Sequence, residues 1–189
     1  MLSVGDRPGG IIFGDDDIDH VQPHRSETRV LELLSRVVKA NQALSVESSV
    51  RSSPGQLNEA LKLTVATTTH DSLVVLISDL DGADELTAQL MTRLAEHNDV
   101  LVLFIYDPLE AGLPDAGQLV ISDGDLQLQF DSSAAGLQQA FQQDFESRLE
   151  QARSLLLKRQ IPVLTISTHR LAIEQVRDQL GTTEQGRVA

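Results

Sequence analysis

Two aspartates at the end of an apolar segment are the first residues whose chemistry needs an explanation. The segment LVVLISDLDGADE, residues 73–85, passes from apolar side chains directly into Asp79 and Asp81. A buried strand that ends in carboxylates delivers those groups to the edge of a sheet. There they could act as a nucleophile and an acid, as metal ligands, or simply as the polar end of the strand.

The hexapeptide SDLDGA resembles the first motif of haloacid-dehalogenase-type phosphatases, which read Asp-x-Asp-Gly-Thr after an apolar strand. The resemblance implies a Mg²⁺-dependent reaction in which Asp79 attacks phosphorus and Asp81 protonates the leaving group. Ala83 stands where that motif has Thr, and the motif lies well inside the chain. The next apolar segment ends in Tyr-Asp-Pro, without a Ser or Thr to hold the phosphate. The phosphatase is therefore the alternative interpretation.

A second pair of carboxylates, Asp107 and Glu110, follows the apolar segment 100–106. Pro108 cannot donate a hydrogen bond to a sheet, so the predicted strand ends before it. In open α/β sheets, ligands bind beyond the carboxyl ends of the strands. We therefore expect Asp79, Asp107 and Glu110 to lie at one edge of the sheet and to form an interaction surface.

The elements that must position these carboxylates alternate between apolar strands and amphipathic helices. The predicted strands are 11–13, 73–78, 100–106 and 161–167, and a hairpin is predicted near 118–130, around a Ser-Asp-Gly-Asp turn. The predicted helices are 26–44, 57–64, 83–97, 133–159 and 169–180. The acidic segment 15–19 and the Ser-rich segment 45–54 are predicted to be loops.

Helix faces follow from the same spacing. In 169–180 we predict that Ala172, Ile173, Val176 and Leu180 point inward and that Gly181 ends the helix. Helix 26–44 carries a similar apolar face, made of Val30, Leu33, Leu34, Val37, Val38 and Asn41. Apolar strands separated by such helices predict an α/β fold with a mostly parallel sheet that helices cover on both faces.

The composition excludes several classes of function. The chain has 189 residues with 28 acidic and 15 basic ones, for a formal charge of −13, which argues against a nucleic-acid partner. No apolar run is long enough to be a membrane segment. There is no Cys, which excludes thiolate metal sites and Cys nucleophiles and agrees with a cytoplasmic, reducing location.

Four separate segments resemble a bacterial family, domain-of-unknown-function family 58 (DUF58). They are GDRPGGIIFGD (5–15), PHRSETRVLELL (23–34), LVVLISDL (73–80) and DPLEAGLP (107–114), and they occur in the family's order. The last resembles the family signature Asp-Pro-x-Glu-x-x-Leu-Pro. The resemblance covers roughly residues 5–180 and implies a von Willebrand factor A-like fold, which is Rossmann-like.

In domains of that fold a divalent ion sits at a metal-ion-dependent adhesion site. An Asp-x-Ser-x-Ser segment after the first strand, a Thr from a middle loop and an Asp after the fourth strand build it. The resemblance makes Asp79 the last of these ligands. Gly55 stands near the position expected for the Thr, although Ser52 or Ser53 could serve. One anionic ligand holds Mg²⁺ poorly, so the site is expected to be incomplete here and to bind Mg²⁺, if at all, in a full-length form.

The Asp-x-Ser-x-Ser strand has no counterpart in the sequence, so the expectation is an N-terminally truncated domain whose first central strand is missing. Residues 1–181 are expected to form this single partial domain, and 182–189 a disordered tail. Strand 73–78 then has one unpaired edge, unless 11–13 moves across to meet it. We expect this chain to melt at a lower temperature than an N-terminally extended version.

The family resemblance also implies a function. It predicts a non-enzymatic protein-interaction or adaptor domain that works with a MoxR-type AAA+ ATPase in chaperone-like assembly or maturation of client proteins. No cofactor is certain. A cytoplasmic location is expected, although full-length relatives can be membrane-tethered.

Overall fold

A computed structural model describes residues 6–14, 17–43, 55–122, 127–157 and 159–185. The strands are β1 (Gly10–Phe13), β2 (Ile18–Val21), β3 (Leu73–Ser78), β4 (Asp99–Tyr106), β5 (Gln118–Ser122), β6 (Gln127–Asp131) and β7 (Val163–Ser167). The helices are α1 (Glu27–Ala43), α2 (Gln56–Thr67), α3 (Glu85–Ala95), α4 (Pro108–Ala111), α5 (Ala135–Leu157) and α6 (Ala172–Gln185). The predicted Ser-rich loop 45–54 lies outside the described residues.

A three-stranded parallel sheet in the order β3-β4-β7 forms the centre of the molecule. Ser78 of β3 lies opposite Phe104 of β4, and Tyr106 of β4 lies opposite Ser167 of β7. The carboxyl ends of all three strands therefore reach the same edge. The α/β class and the parallel sheet with flanking helices are confirmed.

The core lies on the sheet face that α2, α3 and α5 cover. Val102 of β4 and Met91 of α3 are fully buried there, and Leu57, Leu61, Leu94, Phe145 and Leu156 complete the cluster from the helices. Alternate residues of a strand point to opposite faces, so this face is made by the even-numbered residues of β3 and β4. Burial of these side chains fixes the register of the sheet.

The opposite face of the sheet is open at β3. Leu73, Val75 and Ile77 expose 63%, 41% and 60% of their surface. The prediction that helices cover both faces is therefore wrong at this strand. The uninterrupted apolar sequence of β3 would suit a strand that is covered on both faces. Here β3 lies at the edge of the sheet, and three of its apolar side chains face solvent instead.

Strand β3 also forms one edge of this sheet, as the sequence predicted. Among the described residues it pairs with β4 alone, and β1 pairs with β2 rather than with β3. The backbone of Ser72 faces β4, since its carbonyl accepts from Asp99 N at 2.9 Å. By alternation, the amides and carbonyls of Leu73, Val75 and Ile77 point away from β4.

The acidic segment before α1 is not entirely a loop. Residues Ile18–Val21 form β2, which pairs antiparallel with β1 from Gly10↔Val21 to Phe13↔Ile18. Gly10 allows a close approach to α1, because a Cβ there would come within 2.6 Å of the end of the Leu33 side chain, which would have to shift. The short β2 was missed because Asp17 and Asp19 conceal its alternating pattern.

Helix α1 confirms the predicted 26–44 helix, but much of its apolar face is uncovered. Leu34, Val37 and Val38 are all exposed, and no residue of α1 is fully buried. Arg36 attaches the helix to the hairpin through an ion pair with Asp19. Helical spacing correctly predicted the helix and overestimated how much of its apolar face the fold covers.

Helix α6 is oriented differently from the prediction. Ile173 is 75% exposed and Leu180 46% exposed, whereas Gln175 is only 6% exposed. The predicted inward face is therefore wrong for Ala172, Ile173 and Leu180, which are exposed, whereas Val176 is half-buried. Hydrogen bonds explain this orientation, because the helix turns Gln175 and Gln179 toward the backbone of β7. Gly181 does not end the helix, which continues to Gln185; residues 186–189 lie outside the described residues.

The remaining hairpin is confirmed. Strand β5 pairs antiparallel with β6, from Gln118↔Asp131 to Ser122↔Gln127, and the predicted turn at 123–125 lies outside the described residues. The helices of the described segments include none that is both long and apolar enough to cross a bilayer.

Candidate functional site

The turn after β3 carries Asp79 at the carboxyl edge of the sheet. Asp79 is exposed, and its Oδ1 accepts a hydrogen bond from Asp81 N at 3.1 Å. Leu80 adopts a left-handed conformation with φ of 58°, which is unfavourable for a residue with a Cβ. It is held there by burial of its side chain, which is 6% exposed, and by donation from its N–H to Ser78 Oγ at 3.0 Å.

A partly buried hydrogen-bond network directly after this turn joins two helices. Asp84 caps α3 by accepting from Thr87 N at 2.9 Å, and Asn58 of α2 donates to the same oxygen at 3.1 Å. Thr87 Oγ1 in turn donates to Asn58 Oδ1 at 2.8 Å. Asn58 and Thr87 are both buried. The amino ends of α2 and α3 are thereby joined at Asp84, which follows the Asp79 turn in the chain.

The pKa of Asp84 is lowered from its ordinary value of 3.8. The backbone N–H of Thr87 is the main cause, followed by the side-chain amide of Asn58. Both donors stabilise the carboxylate relative to the neutral acid. This part of the edge therefore keeps its negative charge over the physiological pH range.

Asp107 and Glu110 form a reciprocal cap at the end of β4. Asp107 Oδ1 accepts from Leu109 N at 2.8 Å, and Asp107 N donates to Glu110 Oε1 at 3.2 Å. Pro108 occupies the first turn of α4, where a missing N–H is tolerated. The Asp-Pro-x-Glu sequence is thus a capping box that closes β4 and starts α4.

Two further residues extend this cap across the edge. Thr168, directly after β7, donates from Oγ1 to Asp107 Oδ2 at 3.0 Å. Arg148 of α5 forms two ion pairs, from Nη1 to Glu110 Oε2 at 3.4 Å and from Nε to Asp144 Oδ2 at 3.1 Å. Asp107 therefore uses both carboxylate oxygens within the chain, so its role is to join the ends of β4 and β7.

The structure places the three predicted edge residues in different settings. Asp107 and Glu110 are in direct contact, whereas Asp79 lies at the end of the neighbouring strand, on an exposed turn. The sequence reasoning missed Thr168 and Asn58. Asn58 carried a signal, because it is a polar residue beside the buried Leu57 on a short helix.

A magnesium site is not formed by the described residues. Across the described ranges, no three His, Asp or Glu side chains come together in an arrangement that could hold a metal. Asp79 contributes one carboxylate, and its Oδ1 is already bonded to Asp81 N. Mg²⁺ needs near-octahedral oxygen ligands, so the donor set at Asp79 does not fit it by itself.

The family model described as "Protein of unknown function DUF58" matches residues 1–154. The chain belongs to the DUF58 family. The match includes the turn of Asp79 and the Asp107–Glu110 cap, whereas β7 and α6 lie beyond it. No curated protein and no solved structure shows a significant match to this DUF58 chain.

Proposed function

We propose that this DUF58 chain is a non-enzymatic interaction domain that binds protein partners through the carboxyl edge of its parallel sheet. The hydrogen-bonded acidic edge is the observation that carries the proposal. Asp79 is exposed on the turn that precedes the Asn58–Thr87–Asp84 network, and Glu110 is held at the end of the neighbouring strand by the Asp107 cap. A preorganised surface loses little conformational entropy when a partner docks.

The edge residues then have distinct roles in the proposal. Asp79 and Glu110 contact the partner, since both keep solvent-accessible carboxylate surface. Asp107 positions Glu110 and the end of β7. The net charge of −13 supports a partner whose docking surface is basic. We propose a MoxR-type AAA+ ATPase as that partner, acting with the domain in the assembly or maturation of client proteins.

We further propose that the fold is von Willebrand factor A-like. The parallel sheet with carboxylates at its carboxyl edge supports this, as does the edge of β3 that has no partner strand among the described residues. In that arrangement an additional strand pairs with the outward backbone groups of Leu73, Val75 and Ile77. Polar residues that follow the additional strand would then lie beside Asp79.

Co-purification tests the proposal directly. The wild-type chain and Asp79→Asn are each mixed with the purified MoxR-type ATPase, and the complex is separated by size-exclusion chromatography. We expect the wild-type chain to form a complex with the ATPase, and we expect most of that complex to be lost with Asp79→Asn. The absence of a complex with the wild-type chain would contradict the proposed partner.

A phosphatase assay distinguishes the proposed interaction domain from the alternative, a haloacid-dehalogenase-like phosphatase. Asp79 and Asp81 stand two residues apart on an exposed turn, which is the observation that favours it. We expect no Mg²⁺-dependent hydrolysis of p-nitrophenyl phosphate by the wild-type chain. Hydrolysis that disappears in Asp79→Asn would instead establish the haloacid-dehalogenase-like activity.

A further inference from the structure

The outer edge of β7 is paired with side chains instead of a strand. Thr165 N donates to Gln179 Oε1 at 3.2 Å, and Gln179 Nε2 donates back to Thr165 O at 2.8 Å. Ser167 N donates to Gln175 Oε1 at 3.0 Å, and Gln175 Nε2 donates to Ser167 O at 2.9 Å. Each primary amide therefore satisfies both backbone groups of one strand residue.

These bonds lie on the side of β7 that faces away from β4. Pro162 O accepts from Val102 N at 3.0 Å, and Thr168 N donates to Tyr106 O at 3.0 Å, so even-numbered residues face β4. Backbone groups alternate in direction along a strand, and Thr165 and Ser167 consequently point outward. Outward groups are the ones that an additional strand would use.

The spacing of the two glutamines matches the strand. Residues four apart on a helix are separated by about 6 Å along its axis, and alternate residues of a strand by about 6.6 Å. Gln175 and Gln179 can therefore serve Ser167 and Thr165 together. Gln175 also donates to Arg170 O at 3.1 Å, which fixes its amide at the start of the helix.

The segment so covered is prone to strand addition. IPVLTIS, residues 161–167, contains no charged residue, and Leu164 and Ile166 are buried. An uncharged, apolar edge strand is a template for pairing with another chain. Orienting α6 toward this edge leaves Ile173 and Leu180 exposed, so the pairing prevails over burial of the helix's apolar face.

We infer that Gln175 and Gln179 form an edge seal, in which side-chain amides occupy the strand-pairing positions of β7 and prevent a second copy of this chain from adding there. The seal is independent of the proposed ATPase partner. The two edges of the central sheet therefore differ. The outward backbone of β7 is covered by the glutamines, whereas that of β3 has no such cover among the described residues.

Hydrogen exchange on the wild-type chain is the first test. After correction for intrinsic rates, we expect the amides of Thr165 and Ser167 to exchange on the order of tenfold or more slowly than those of Val75 and Ile77. All four amides point outward from edge strands, and only the first two have a glutamine partner among the described residues. Equal protection of the two pairs would overturn the seal.

The second test removes the amides from the full chain. We expect Gln175→Ala with Gln179→Ala to lose the protection of Thr165 and Ser167 and to self-associate at lower concentration in sedimentation velocity. The matched control is Gln139→Ala with Gln143→Ala, two exposed glutamines four apart on α5, which should behave like wild type.

The proposal fails if the double variant keeps the protection, or if it loses protection without associating more than the control. If the double variant does not fold, the wild-type exchange experiment decides alone. Alanine adds no apolar surface to the helix and favours the helical state, so increased association would report the opened edge.

Discussion

Asn58 shows how single polar residues position the acidic edge. Its amide oxygen accepts from Thr87 and its amide nitrogen donates to Asp84, so one buried side chain joins α2 to the cap of α3. Asp107 does the same between β4 and β7 through Leu109 and Thr168. At the scale of residues, the edge is a set of capping interactions that share partners.

Replacing Asn58 should be costly because it removes hydrogen bonds from a buried site. We expect Asn58→Ala to lower the free energy of unfolding by about 1–3 kcal/mol, since Thr87 Oγ1 loses its 2.8 Å acceptor and is left with the longer 3.3 Å bond to Asp84 Oδ1. Urea denaturation measures the change. Lys62→Ala on the exposed side of α2 is the control, expected at about 0.5 kcal/mol or less. Equal costs for the two variants would show that the network contributes nothing.

Asp84 predicts a specific dependence of stability on pH. Its pKa is lowered in the folded chain, so its contribution is fully present above 3.8 and is lost as the pH falls through the folded pKa. Asn caps helices about as well as Asp but does not titrate in this range. We expect the melting temperature of the wild-type chain to fall more steeply below pH 4 than that of Asp84→Asn. Parallel curves would contradict the assignment.

At the scale of elements, periodicity in the sequence predicted the three parallel strands, the hairpin and the long helices. These elements contain enough apolar residues for the spacing to distinguish a helix from a strand. The short β2 and the polar orientation of α6 were not predictable in the same way, because both depend on hydrogen bonds between distant residues. Gln175 and Ser167 give no periodic signal, although their pairing decides which face of α6 is exposed.

The two faces of β3 provide a test at this scale. Leu76 is 8% exposed and Ile77 is 60% exposed, although they are adjacent in one strand. We expect Leu76→Ala to cost about 2–5 kcal/mol and Ile77→Ala at most about 1 kcal/mol, by chemical denaturation. A large cost at Ile77 would mean that the outer face of the sheet is covered in solution.

At the scale of the whole molecule, an acidic chain presents one hydrogen-bonded acidic edge and, among the described residues, one strand with an unpaired side. Of the candidate site, the sequence identified the carboxylates and the strands that carry them. It did not identify the caps that hold them, since Asn58, Thr87 and Thr168 come from separate elements. The DUF58 match includes both Asp79 and Asp107.

The affinity of the chain for the purified MoxR-type ATPase tests the central claim most directly, with two matched variants compared by isothermal titration calorimetry. Asp79→Asn and Asp71→Asn each remove one exposed carboxylate, at opposite ends of β3. We expect Asp79→Asn to weaken binding by about tenfold or more and Asp71→Asn to leave it unchanged. Equal affinity of Asp79→Asn and the wild-type chain, or equal weakening by both variants, would contradict a partner site at the carboxyl edge.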